Sequence, residues 1–149
     1  MAFSFRLQTL LNYRKSLEEL AQLRLIERLR AVALQEERIR DLTRLREDCQ
    51  QEFLRKTGAA APVNELVLYL DFQDRSFGQL NRLEEDRDRI LMEVHQERER
   101  LLTLTRDRKI LEKLKERRQK EFLQDLDWQE RKQIEEGVIQ RHALSKKGD

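Results

Sequence analysis

One interruption, at residues 57–64, constrains the fold of this sequence more than any other feature. It contains Gly58 and Pro62, in a chain that has only 4 Gly and 1 Pro in total. Glycine readily ends a helix, and proline lacks a backbone N–H and restricts the residue before it, so a helix cannot pass smoothly through this stretch. Asn64, a residue type favoured at helix N-caps, follows the proline. The sequence therefore predicts two helices separated by one short turn.

Apolar residues on both sides of the interruption recur every three or four residues, which is the spacing of a helix. Before it, the stripe comprises Leu7, Leu10, Tyr13, Leu17, Leu20, Leu25, Leu29, Val32, Ile39, Leu42, Leu45, Cys49 and Phe53. After it, the stripe comprises Leu66, Leu70, Phe77, Leu80, Leu83, Ile90, Val94, Leu101, Leu104, Leu111 and Leu114. The same spacing places Arg87, Glu97 and Arg108 in the second stripe. A shift near Glu36 predicts a stutter in the first.

Two helices with one apolar stripe each can bury those stripes against each other. Because the connection is short, we expect the helices to be antiparallel neighbours. We thus predict an all-α fold, an antiparallel coiled-coil hairpin that forms a single domain over residues 1–149, with the second helix longer. The first helix is expected at about residues 3–57, the turn at about 58–63 and the second helix at about 64–140, followed by a frayed tail.

The composition argues against an enzyme and for a protein that binds other proteins. Charged residues make up 40% of the chain, and 31 basic residues nearly balance 29 acidic ones. Hydrophobic residues make up only 38% of the chain, which is too little for a thick apolar core, and the balance of charge disfavours disorder driven by charge of one sign. The sequence has no P-loop signature, and two histidines on a two-helix hairpin do not assemble a catalytic triad or a pocket. We therefore expect no catalytic residue, cofactor or metal.

The apolar segments predict neither secretion nor membrane insertion. Residues 1–6 lead into a charged helical pattern without the apolar core of a signal peptide. The longest apolar run in the helices, residues 66–70, is too short to span a bilayer. The single cysteine, Cys49, excludes an intramolecular disulfide and fits a reducing compartment. We expect a cytoplasmic protein.

Three small groups of residues are assigned structural roles. Cys49 lies on the apolar stripe and is interpreted as a small buried hydrophobe. His95 and Glu99 are one helical turn apart, but two side chains do not make a metal site. Asp125 and Asp127 are interpreted as a solvated helix face rather than as a catalytic pair of carboxylates.

A basic cluster at residues 106–120 admits three interpretations. The first is an ion-paired helix face, with Glu112 paired to Lys115 or Glu116 paired to Lys120. The second is a surface that meets an acidic partner protein. The third, nucleic-acid binding, calls for a cleaner basic stripe than this one, in which acids are interspersed.

Two apolar features are candidates for contact with a partner. Just past the turn, five apolar residues are too closely spaced to fit one stripe. They either cap the end of the hairpin or form a partner-binding patch. They are Leu66, Leu68, Tyr69, Leu70 and Phe72. Trp128 falls on the part of the second helix that should extend past the first, where an exposed tryptophan would anchor a larger protein.

Two short motifs lie near the ends of the sequence, namely Phe3-x-Phe5-x-Leu7-x-x-Leu10-Leu11-x-x-Arg14 and Glu130-x-Lys132-x-Ile134-Glu135-Glu136. They resemble motifs of the flagellar export protein family FliJ. The second motif departs from the family pattern, with Glu135 where Asp is usual and Gly137 where a helix former is expected. Chain length, the single Gly/Pro break and the hairpin layout agree with the family over essentially the whole sequence.

The resemblance implies a function in type III protein export. Proteins of this family resemble the central stalk of rotary ATPases. They enter the pore of the hexameric export ATPase FliI, reach the export gate protein FlhA in the membrane, and escort export chaperones. The resemblance therefore implies a non-enzymatic protein of flagellum biogenesis and motility, peripheral to the inner face of the membrane through its partners alone, with no nucleic-acid partner. A stalk protein of a virulence injectisome, and a generic coiled-coil scaffold or nucleic-acid-binding rod, are the alternatives.

Mapped onto this chain, the resemblance assigns two sets of contact residues. Those expected to bind the ATPase are Arg6, Arg14, Lys15, Arg117, Arg118 and Lys120, to which we add the exposed tryptophan Trp128. Those expected to face the export gate are Phe53, Tyr69 and Phe72, because Tyr69-x-x-Phe72 matches an aromatic pair of the family. A basic stalk suits an acidic-lined ring.

Overall fold

The computed structural model describes residues 2–57 and 62–148. These residues form two α-helices, α1 at Gln8–Lys56 and α2 at Val63–Lys147, and contain no strand. The two helices contact each other, which confirms the predicted all-α helical hairpin with the longer helix second. Within the described ranges, neither helix has a stretch that is both long enough and apolar enough to cross a bilayer.

The first helix begins at Gln8, and the prediction of a start near residue 3 is wrong. Phe5 is only 7% exposed. The carbonyl oxygen of Phe5 accepts a hydrogen bond from the Gln8 N–H at 3.1 Å. The segment before α1 is therefore held both by burial of an aromatic side chain and by a turn hydrogen bond to the first residue of the helix.

The second helix begins at Val63, so Pro62 and not Asn64 precedes the first helical residue. The carbonyl oxygen of Pro62 accepts hydrogen bonds from the N–H groups of Glu65 and Leu66, at 3.0 and 3.3 Å. The absence of an N–H on proline costs nothing at a helix start, because the first donors have no partner inside the helix. The predicted N-cap at Asn64 is therefore corrected to Pro62.

The two remaining boundary predictions have different outcomes. The predicted turn at 58–63, with its helix-ending Gly58, falls mostly on residues 58–61, which lie outside the described residues. At the other end, α2 continues to Lys147, beyond the predicted end near residue 140. Basic residues in its last turn complement the negative end of the helix dipole. The stretch predicted to be a frayed tail is therefore helical through residue 147.

Unit 1, the first of two compact units, comprises Met1–Glu18 and Thr103–Asp149. Its apolar core is small. Leu11 is 1% exposed and is the one large side chain among the described residues that is fully buried, and Phe5 is also buried. Such a narrow core is what a seam between two helices provides.

Unit 2 comprises Glu19–Leu102. The most deeply buried positions in it include the small residues Ala21 and Ser76, together with Val94, at 2–3% exposed. Gln35, at 6% exposed, donates from Nε2 to the Leu83 carbonyl oxygen at 3.1 Å. The seam of unit 2 thus combines small side chains with a buried amide that is hydrogen-bonded to the facing helix.

The buried stripe of α1 follows one seven-residue repeat that takes in polar side chains. Apart from the exposed Arg28, its positions are buried or half-buried. They are Leu11, Arg14, Glu18, Ala21, Leu25, Val32, Gln35, Ile39, Leu42, Arg46, Cys49 and Phe53, and Leu7 continues the repeat just before α1. Five residues predicted to lie in the stripe are exposed instead, namely Leu10, Tyr13, Leu20, Leu29 and Leu45. The predicted stutter near Glu36 is therefore wrong, because the prediction followed apolar residues only.

The buried stripe of α2 also follows a seven-residue repeat. It passes through Tyr69, Gln73, Ser76, Leu80, Leu83, Arg87, Ile90, Val94, Glu97, Leu101, Leu104, Arg108 and Leu111. The predicted polar positions Arg87, Glu97 and Arg108 are confirmed as half-buried. Ser76 replaces the predicted Phe77, which is 53% exposed, and Leu66 and Leu70 are exposed as well.

Candidate protein-binding surfaces

A group of charged side chains joins the two helices of unit 1. Glu18 is 8% exposed, and its carboxylate accepts hydrogen bonds from Arg108 Nε and, at 3.1 Å, from Thr105 Oγ1. Arg108 also donates from Nη1 to Glu112 Oε2 at 2.8 Å. The hydrogen bond to Glu18, followed by that to Glu112, raises the pKa of the Arg108 guanidinium above its ordinary value. Arg108 therefore remains a cation that neutralises a buried carboxylate.

Arg14 and Lys15, two of the predicted ATPase-binding residues, form ion pairs with α2. Arg14 Nη1 lies 3.4 Å from Asp107 Oδ2, and Lys15 Nζ lies 3.9 Å from Glu112 Oε1. Both pairs are partly exposed, so each contributes little free energy by itself. Glu112 therefore pairs with Lys15 and Arg108, whereas the first interpretation of the basic cluster had predicted a pair with Lys115.

Three other predicted ATPase-binding residues, Arg117, Arg118 and Lys120, are exposed on α2. None of the three forms an ion pair with another described residue. Near them, Phe3 packs against Phe122, with ring centroids 5.6 Å apart and planes tilted by 50°. An open groove at this place is lined by Ala2, Phe3, Ser4, Leu114, Arg117, Arg118, Glu121, Phe122 and Asp125.

In unit 2, the three residues predicted to face the export gate lie together. Phe53 and Tyr69 are stacked, with ring centroids 4.1 Å apart and an interplanar angle of 1°. Phe72 lines the same groove as this pair, and so does the half-buried Cys49. Further apolar side chains close to the turn are 40–74% exposed, namely Leu54, Val63, Leu66, Val67, Leu68 and Leu70. We call Phe53, Tyr69, Phe72 and these six residues the turn-side patch.

The stacked pair and the rest of the turn-side patch differ in their exposure to solvent. Phe53 and Tyr69 occupy seam positions and close the interface between the two helices. The surrounding aliphatic side chains remain largely open to solvent. Exposed apolar side chains close to a packed aromatic pair are typical of a protein-binding site.

The C-terminal stretch of α2 is exposed along its length. Residues 127–148 are all exposed apart from Gly137, which is half-buried. Trp128 is 63% exposed, and the Lys132 ammonium group lies 5.2 Å from its ring centroid. Trp128 is therefore available to a partner, as the sequence predicted.

Some charged side chains lie outside these surfaces. His95 Nε2 is 3.1 Å from Glu99 Oε1, and both side chains are exposed. The described residues contain no group of three or more His, Cys, Asp or Glu side chains placed to hold a metal.

Two buried side-chain atoms have no hydrogen-bond partner in the described chain, namely Arg46 Nε and Glu97 Oε2. Arg46 does donate a hydrogen bond from Nη2 to Gln73 at 3.1 Å.

Sequence analysis missed the residues that join the helices through polar contacts. Glu18 and Gln35 were not predicted to be buried, because the stripe was predicted from apolar side chains only. That choice places Leu17 or Leu20 in the stripe instead of Glu18. A strict count in sevens from Leu11 leads to Glu18, and this signal was available in the sequence.

The comparisons with known proteins give one match. The family model described as "Flagellar FliJ protein" matches residues 3–147 of the chain. The match begins before α1 and ends at the last residue of α2, so it includes the N-terminal segment and both helices. Neither the curated proteins nor the solved structures contain a match to this chain.

Proposed function

The chain belongs to the flagellar FliJ family, a non-catalytic component of flagellar protein export, and we propose that it acts as the central stalk of the hexameric export ATPase FliI. We propose further that it links this ATPase to the export gate protein FlhA and escorts export chaperones, and that it catalyses no reaction itself. Such a protein works in the cytoplasm and reaches the inner face of the membrane through its partners.

The observation that carries the stalk proposal is the division of the basic residues in unit 1. Arg14 and Lys15 are paired with carboxylates of α2 and help to join the helices. Arg117, Arg118 and Lys120 are exposed and have no ion-pair partner among the described residues. Unpaired surface cations remain available to the carboxylates of a partner protein. The residues that we assign to ATPase contact are Arg6, Arg117, Arg118, Lys120 and Trp128.

The gate proposal is supported by the turn-side patch of unit 2. Its aromatic members Phe53, Tyr69 and Phe72 line one groove. Aromatic side chains surrounded by exposed aliphatic ones provide the large apolar contact area on which protein interfaces depend. We therefore assign gate contact to these three residues.

Adding the chain to its cognate export ATPase is expected to raise the rate of ATP hydrolysis, because a stalk that binds only the assembled ring favours assembly. The combined substitution Arg117→Glu and Arg118→Glu is expected to raise the concentration needed for half-maximal stimulation by at least about tenfold, since two attractive contacts become repulsive. Phosphate release at a series of chain concentrations measures this effect. The difference should shrink at high salt, because these cations are exposed.

The matched control reverses two exposed arginines of unit 2, Arg98→Glu and Arg100→Glu, and changes the net charge by the same amount. This control is expected to stimulate the ATPase as the wild type does. A similar loss in both variants would assign the effect to net charge. Full stimulation by the first variant would refute the proposed contact.

Replacing Tyr69 and Phe72 by alanine is expected to weaken binding to the soluble part of the gate protein by at least about tenfold, as loss of aromatic anchors does in other interfaces. Isothermal titration calorimetry measures the affinity, and far-UV circular dichroism checks that the helices remain. Phe77→Ala is the control, since Phe77 is an exposed aromatic residue of the same helix outside the patch. Equal effects of the two changes would argue against a gate contact at this patch.

A further inference from the structure

One face of the C-terminal stretch of α2, in unit 1, carries an apolar stripe that nothing in the described structure covers. Leu123, Ile134, Val138 and Leu144 are 57–70% exposed. Their spacing places them on one side of the helix together with Gly137. Ile134 and Val138, one turn apart beside Gly137, form the apolar centre of this face, and charged residues flank it.

Gly137 is unexplained by the chain's own fold. A Cβ at this position would meet nothing within 4 Å, and its φ is not positive. Glycine disfavours a helix interior, so its presence calls for another reason. The missing Cβ leaves an open groove on the helix surface where a second backbone can approach closely. This groove is lined by Glu130, Gln133, Ile134, Gly137, Val138 and Arg141.

The groove is complementary to itself when a second copy lies across it in the antiparallel direction. In a twofold pair, facing residues are equally far from the axis. An axis between residues 135 and 136 places Ile134 opposite Gly137 of the other copy. It also places Glu130 opposite Arg141, twice in each dimer. Ile134 thus meets the position without a Cβ, and Glu130 meets Arg141.

The charges around the groove favour the same direction. Asp125 and Glu130 lie on the N-terminal side of the groove, and Asp127 there is already paired with Arg131 at 3.2 Å, whereas residues 141–147 contain three basic residues and no carboxylate. Parallel pairing would bring like charges together, and antiparallel pairing brings opposite charges together.

Within one chain, Glu130 and Arg141 cannot pair with each other. They are separated by about 16 Å along the helix at 1.5 Å per residue. Neither forms an ion pair with another described residue. Both side chains are therefore free to reach a partner.

We propose that a second copy of this chain docks on this face, forming an antiparallel homodimer centred on the groove at Gly137. The inference goes beyond the proposed function, since it concerns contact between two copies of the chain and needs no ATPase or gate protein. Sedimentation equilibrium of the full chain alone over a range of concentrations is expected to show a reversible dimer that weakens as salt is added. A chain that stays monomeric at every concentration overturns the proposal.

Charge exchange tests both the place and the direction of the contact. Glu130→Arg and Arg141→Glu, made separately, are each expected to weaken dimerisation by at least about tenfold, because each creates two like-charged contacts. The double variant is expected to restore the dimer, since the two charges then meet again across the interface. In a parallel dimer each residue would face its own copy, and the double variant would not restore binding. Single reversals without effect, or a double variant that stays monomeric, overturn the proposal.

Gly137→Ala tests the close approach at the centre of the groove. It is expected to weaken dimerisation, because the added Cβ fills the space that Ile134 of the other copy would occupy. Gly78→Ala is the matched control. Gly78 is also helical, with nothing within 4 Å of an added Cβ, but it lies in unit 2. Both changes favour the helix, as circular dichroism would show, so equal dimerisation of the two variants would overturn the proposed geometry.

Discussion

Replacing Leu11 by alanine is expected to lower the free energy of unfolding by about 2–5 kcal/mol, the usual cost of emptying a buried leucine site. Leu11 is 1% exposed and lies in the narrow core of unit 1. A domain of ordinary stability has only about 5–15 kcal/mol to lose. Urea denaturation followed by far-UV circular dichroism should therefore show a large fall in the transition midpoint.

Leu10→Ala provides the control for this prediction. The same side chain is removed one position earlier, where it is 39% exposed. The loss is expected to be less than about 1 kcal/mol, because little apolar area is removed from contact. The pair of variants also tests the register of α1, since the stripe drawn through apolar residues alone contains Leu10. Equal losses at the two positions would contradict the register described here.

Replacing Val94 by aspartate is expected to destabilise the protein by roughly 3–5 kcal/mol, because a carboxylate without a partner would be placed inside a helix–helix seam. Val94 is 3% exposed in unit 2. Its neighbour in the repeat, Glu97, already has a buried carboxylate oxygen without a hydrogen bond. A second acid at this place would therefore find no compensation. Thermal and urea denaturation measure the loss.

Val67→Asp introduces the same acid on the same helix at a position that is 57% exposed. Its expected effect on the free energy of unfolding is within about 0.5 kcal/mol. A large loss at Val67 would indicate that the turn-side patch holds the fold together rather than awaiting a partner. Similar stability of the two variants would show that Val94 is not in the seam.

The sequence predicted the architecture because helix breakers are so few in it. With a single Gly/Pro break, the number of helices and their order followed directly. The boundaries were harder to predict. A buried Phe5 holds the segment before α1 in a non-helical conformation, and sequence periodicity carries no signal for such a tertiary contact. At Pro62 the helix started earlier than the favoured cap residue Asn64 suggested.

The register was predictable in part. In α2 the alternating spacing of three and four residues, counted from Leu83, correctly included Arg87, Glu97 and Arg108, because polar residues were counted as well. In α1 only apolar residues were followed, so Glu18 and Gln35 were missed. Their burial depends on partners in the facing helix, Arg108 for Glu18 and the Leu83 carbonyl for Gln35. Such pairs require knowledge of both registers at once.

Prediction of the candidate surfaces also depended on knowing which residues of the two helices face each other. Phe53, Tyr69 and Phe72 were expected at one surface, and they share a groove because their positions in α1 and α2 meet near the turn. For the basic residues, the sequence could not separate Arg14, which pairs with Asp107, from the unpaired Arg117. That difference arises from the facing helix and not from residue type.

The exposed stretch of α2 at residues 127–148 has a thermodynamic consequence for any protein that binds there. Because the residues of this stretch are exposed, packing adds little to its helix, and helix propensity contributes most of its stability. A partner that binds the helical form also stabilises it, so the helix propensity of this stretch contributes to the binding free energy. The affinity of this stretch therefore depends on its intrinsic helicity as well as on its contacts. Substitutions that touch no partner can strengthen or weaken binding by changing the helical fraction of the free chain.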